Sequence, residues 1–129
     1  MELQFTIGEC LSCIGSGQTS KIFKRRYDNA IDLKAPTDDV MTSVIHKIIK
    51  EVIHSPLAQV RQAGVVWLLS IVQHSSLHVV VRKEMKLIQK AFIVCMCDPD
   101  DVTQDVVSRG LLFVLMFIYF LYFLLYLLC

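Results

Sequence analysis

Nine side chains in this 129-residue chain could do metal or nucleophilic chemistry: five cysteines and four histidines. Cys10-Leu-Ser-Cys13 has C-x-x-C spacing and Cys95-Met-Cys97 has C-x-C spacing. Four thiolates can hold a zinc ion, but zinc ribbons present them from turns. Here both pairs sit inside apolar runs of helical period, and residues two apart on a helix point to different sides. Buried structural thiols are the expectation. His74 and His78 straddle a serine-rich turn with no H-E-x-x-H glutamate. His46 falls on the polar side of a helix and His54 at a helix end. None has a Ser, Cys or Asp partner at a catalytic spacing. Neither a G-x-G-x-x-G nor a phosphate-cradling G-x-x-x-x-G-K-[ST] occurs. We therefore assign no catalytic, cofactor-binding or metal-binding residue, and expect neither an enzyme nor a small-molecule substrate.

Charge excludes another class. The formal net charge is +1, so no global field draws nucleic acid or an acidic partner. An odd, scattered cysteine set is no secreted disulfide framework, which fits reduced thiols in a cytosolic or nuclear setting. No secretory leader is read at the N-terminus.

The elements carrying these residues read as helices throughout. The organising stretch is 55–72, SPLAQVRQAGVVWLLSIV. Ser55 is the expected N-cap and Pro56 the first helical residue. Apolar residues recur at helical spacing around most of its surface, so neighbours are needed on several sides. Before it, residues 37–54 form an amphipathic helix that Thr37 would cap, with Asp38 and Asp39 at its positive end. After it, residues 80–97 form another, and Asp98 with Pro99 would open the next. Residues 3–14 make a short first helix. The expected core includes Val44, Ile48, Val52, Val60, Trp67, Leu68, Ile88 and Phe92. Gly8, Gly64 and Gly110 read as points of close helix packing.

This order predicts an all-α fold of antiparallel helix hairpins, a fragment of a HEAT/armadillo-like solenoid with a C-terminal hydrophobic helix. Residues 1–14 would end a preceding repeat, 15–36 form a flexible basic linker, and 37–76 and 77–110 form two HEAT-like repeats. Aligning Leu57 with Asp101 gives an offset of 44, within the period of such arrays. On the polar side of the later helix, Arg82, Lys83, Lys86 and Lys90 form a possible partner-binding face; the plainer alternative is a solvated helix face. Arg61 and Asp105 are a possible inter-repeat pair.

The segments LQFTIGECLSCIGSG, VRQAGVVWLLSIV, IQKAF and DDVTQDVVSRGL resemble successive pieces of the very large HEAT-repeat adapter and scaffold proteins of the 26S proteasome. The resemblance covers most of 3–111. It implies a solenoid without an active site and a partner in the 26S proteasome. It also implies roles in proteasome quality control and in linkage to vesicles, endosomes or endoplasmic reticulum, with a cytoplasmic and nuclear location.

Residues 111–129, LLFVLMFIYFLYFLLYLLC, lie outside that resemblance. They hold no charge, Gly, Ser or Pro. As a helix they span ~28 Å, close to the ~30 Å of a bilayer core. One reading is a transmembrane anchor, which would make the chain a small tail-anchored membrane protein with a helical partner-binding head. Tyr119 and Tyr122 then fall mid-span, away from the interface that tyrosine favours. The other reading is translated intron, because the codons of these residues are rich in uridine; the extension would then never have packed in a parent solenoid.

Overall fold

The structure is a computed structural model that describes residues 1–16 and 38–129. The expected basic linker and the Thr37 cap lie outside the described residues. Among those described there are five α-helices and no strand: α1 (Glu2–Ser16), α2 (Asp38–Lys50), α3 (Ala58–Ser75), α4 (Val79–Cys95) and α5 (Asp101–Leu128). A 3₁₀ turn, Val52–His54, joins α2 to α3.

Helix α3 is the hub. It touches α1, α2, α4 and α5, and from Ala63 to Val72 only Trp67 is less than fully buried. That is what its broadly apolar surface demands. The helices fall into two rows, α1–α3–α5 and α2–α4. Within the first row α1 and α3 run parallel. Trp67 Nε1 donates to Gln4 Oε1 at 3.2 Å, Gly8 lies against Ser70, and the hydroxyls of Ser12 and Ser75 are hydrogen-bonded. Both numbers rise together along the contact. Two short antiparallel hairpins stacked side by side give this arrangement, so the chain is an all-α helical solenoid fragment with a long apolar C-terminal helix.

Both hairpins turn into their second helix by the same local device. Expectation and structure differ here by two residues. Leu57, not Ser55, occupies the N-cap of α3, and Asp100, not Asp98, that of α5; both caps have extended backbone. Ser55 and Asp98 instead open the turn. Ser55 Oγ accepts from the Leu57 N–H (3.3 Å) and Asp98 Oδ1 from the Asp100 N–H (3.0 Å). Each is followed by proline, which disfavours the α region for the residue before it. Such side-chain-to-backbone bonds two residues on are the alternative use of Ser and Asp. The cap of α5 is completed by Asp100 Oδ2, which accepts from the Thr103 N–H and hydroxyl.

The correspondence continues into the helices. Arg61 Nη1 donates to the Ser55 carbonyl (3.0 Å), and Gln104 Nε2 to the Asp98 carbonyl (2.7 Å). Equivalent positions are thus 43 apart, as are the helix starts at Ala58 and Asp101, which corrects the offset of 44.

The core runs through both rows. Ile48 and Leu68 are buried, as are Ile88 and Phe92; Val44, Val52 and Trp67 are partly buried against them. Val60 departs from the expected core. It is 36% exposed, in a first turn of α3 where Leu57, Ala58 and Gln59 are exposed with it. Met41 is fully buried, its thioether under Gly15; among so many isoleucines and valines the sequence pattern gives it no prominence. The start of the apolar extension packs as well. Val114 is buried, and Leu111, Phe113, Phe117 and Ile118 lean on the core.

Candidate functional site

The cysteines do not converge. Cys10 and Cys97 are exposed, Cys13 is intermediate and Cys95 buried, and all the described thiols are free. Among the described residues no three of His, Cys, Asp and Glu approach as a metal site would require. Burial pushes the Cys95 thiol up, with a further rise from Asp98 and an opposing fall from Arg61. A raised, buried thiol is a poor nucleophile and ligand. Cys13 is raised too, first by burial and then by Glu9 and Cys10. His78 serves the backbone instead. Its Nδ1 accepts from the Val80 N–H at 3.3 Å and caps α4. His46 Nε2 meets Glu84 Oε2 at 3.2 Å and links α2 to α4.

The most developed polar constellation is a clamp between the two hairpins. Arg61 Nε and Nη2 donate to Asp98 Oδ2 and Oδ1 at 2.7 and 3.1 Å. Its Nη1 reaches the carbonyls of Ser55 and Pro56 at 3.0 and 3.1 Å. One guanidinium therefore fastens the turn before α3 to the turn before α5. The planar fork of arginine suits a carboxylate on one side and two carbonyls on the other, and lysine could not repeat it. The expected partner, Asp105, lies instead on the outer side of α5 and pairs with Arg109 at 2.9 Å. It stands four residues before Arg109, so the pair closes along its own helix. Asp98 lies in a connecting turn, where helical periodicity gives no indication of its direction.

The clamp makes stability depend on acid. The hydrogen bond from Arg61 holds the Asp98 carboxyl below its ordinary value; burial opposes this, and the Asp100 N–H adds to the lowering. A carboxylate with a depressed folded pKa contributes stability above the ordinary carboxylate range and loses it as pH falls through the depressed value. We expect Asp98→Asn to melt lower than the parent at neutral pH, with the gap closing in the acid range. Circular dichroism melts at stepped pH read this. An undiminished gap at low pH would assign the loss to shape rather than charge.

The basic side chains Arg82, Lys83, Lys86 and Lys90 are all exposed on α4. Positions 82, 86 and 90 follow the i, i+4 line of one helix side. Among the described residues none of the four is in an ion pair. A shallow apolar depression of about 410 Å³ lies elsewhere, between Leu11 of α1, Val44 and Ile48 of α2, and Val52 and Trp67. It carries Lys47 and Ser43 at its margin and no group poised for catalysis.

Stacked hairpins that show broad outer faces define a helical-repeat solenoid, here a short piece of one. The chain is related to the ECM29 proteins. It is 36% identical over 116 residues to the human proteasome adapter and scaffold protein ECM29, covering 86% of this chain and 6% of that protein. It is 34% identical over 98 residues to the proteasome-associated protein ECM29 homolog of Drosophila melanogaster, covering 76% of this chain and 5% of the relative. The chain thus spans only about one-twentieth of the length of these relatives. No family model matches it, and no solved structure matches it.

Proposed function

We propose that this chain is a non-catalytic HEAT-repeat scaffold segment that binds the 26S proteasome through the outer faces of its helices. The observation that carries the reading is its sequence relation to proteins named for proteasome adaptation, scaffolding and association. The fold is suited to it. A two-row stack offers extended surfaces rather than a cleft, and solenoids use such surfaces for partners. In this reading residues 37–76 and 77–110 are two HEAT-like repeats, and Arg61 is the fastener between them. The cellular roles are support of proteasome assembly and quality control and its linkage to other components, in the cytoplasm and nucleus.

The contact is assigned to the basic stripe of α4. Exposed lysines and arginines without ion-pair partners among the described residues cost little to pair with an acidic surface, and they speed and orient encounter. The expected result is direct. Immobilised chain retains purified 26S proteasome at low salt, and the Arg82→Glu, Lys86→Glu, Lys90→Glu variant retains roughly tenfold less or worse. Because the three positions are exposed, the variant keeps the helix content and melting midpoint of the parent. Equal retention by both chains would remove the stripe from the contact; no retention by either would remove the proteasome reading.

A further inference from the structure

Helix α5 is the one described helix long and apolar enough to cross a membrane. Such a helix is commonly the buried core of a soluble protein, but this one is not. Up to Ile118 one side of it rests on the body. Beyond that point Leu121 is still partly covered, Tyr119 and Phe120 are exposed, and every residue in 122–129 is exposed. Successive residues turn by about 100°, so the exposed run 122–129 covers the whole circumference. A protein groove or a second copy of the helix covers one stripe and leaves the rest in water. An apolar surface that runs all round a helix is satisfied only by an apolar surrounding.

Length and charge agree with a lipid surrounding. Gly110–Cys129 holds 20 residues without a charge, ~30 Å of helix, the thickness of a bilayer core. The last charged side chain before it, Arg109, is already paired with Asp105 and stays outside. We propose that the partner of α5 is a lipid bilayer, entered first by the exposed turns in 122–129. Residues 111–118 follow by exchanging protein contacts for hydrocarbon, one apolar environment for another. This inference is independent of the proteasome reading.

The full chain, synthesised in the presence of phosphatidylcholine vesicles, tests it by flotation and alkaline carbonate extraction. The parent is expected to float and to resist extraction. The Phe120→Arg, Leu124→Arg variant places two charges on the exposed part of α5, where neither side chain packs on the core. It should keep its helix content yet float at least roughly tenfold less. A parent that stays at the bottom, alone or as a self-associated assembly, overturns the proposal. So does a variant that floats as well as the parent.

Discussion

Replacing Phe92 with alanine is expected to cost about 3–5 kcal/mol, the range for a large aromatic removed from a closed core. Phe92 heads the fully buried side chains by volume. Its ring lies over Gly110: a methyl built on that glycine would stand 2.7 Å from the ring Cζ and 2.9 Å from a ring Cε. The ring is therefore the block on which α4 and α5 meet. Domains of this size hold only about 5–15 kcal/mol in all, so the variant sits near the edge of folding. Urea unfolding followed by helix ellipticity, in a nonionic detergent that keeps the end of α5 dissolved, measures it. Gly110→Ala alone should cost about 1–3 kcal/mol by overfilling the same space. The double variant should cost less than the two losses together, because the new methyl enters room the ring has vacated. Strict additivity would show that ring and glycine do not meet.

The second large effect is expected at Gly8. A Cβ there would lie 2.5 Å from Ser70 Oγ, 2.6 Å from Ser70 Cβ and 3.2 Å from the Trp67 Cα. The last two atoms are fixed by α3 itself, so α1 has to move away. Alanine is the better helix former by about 1 kcal/mol. Any net loss in Gly8→Ala, expected at about 1–3 kcal/mol, therefore measures packing. Gly8→Leu should undock α1 altogether. A 15-residue helix is marginal alone in water, and its amides should lose their protection from hydrogen exchange while those of α3 and α4 keep theirs. Ser70→Gly in the same chain should restore part of the loss in Gly8→Ala. If Gly8→Leu leaves the α1 amides protected, the close approach of α1 and α3 is wrong.

Those two glycines show what is legible in the residues alone. Their role as contact points is readable, because a glycine inside an apolar helical run has no other use there. Which atoms they meet is not, since that depends on the relative register of two helices. The hub position of α3 is readable from an apolar surface too wide for one neighbour. Its start is not. Ser and Asp before proline look like helix caps, yet each serves the turn two residues earlier, and the choice rests on local backbone energies of about a kcal/mol. Val60 falls in the first turn after the Leu57 cap, where residues 57–60 are all exposed. The Arg61 clamp shows a further limit. An arginine reaching towards the next hairpin follows from the repeat, but its acceptor lies in a turn, where no periodicity tells which way Asp98 faces. The basic stripe on α4 is visible from spacing alone.

The stack stands on one geometric statement, that α1 and α3 run side by side in the same direction with Ser12 against Ser75. Disulfide trapping measures it most directly. With the native cysteines replaced, a chain carrying Ser12→Cys and Ser75→Cys should close a cross-link under mild oxidation while folded. It should do so many times faster than in urea, and a control pair at positions 12 and 108 should stay open. Rapid closure of the control pair, or a 12–75 pair that closes no faster folded than unfolded, would contradict the parallel stack and the scaffold built on it.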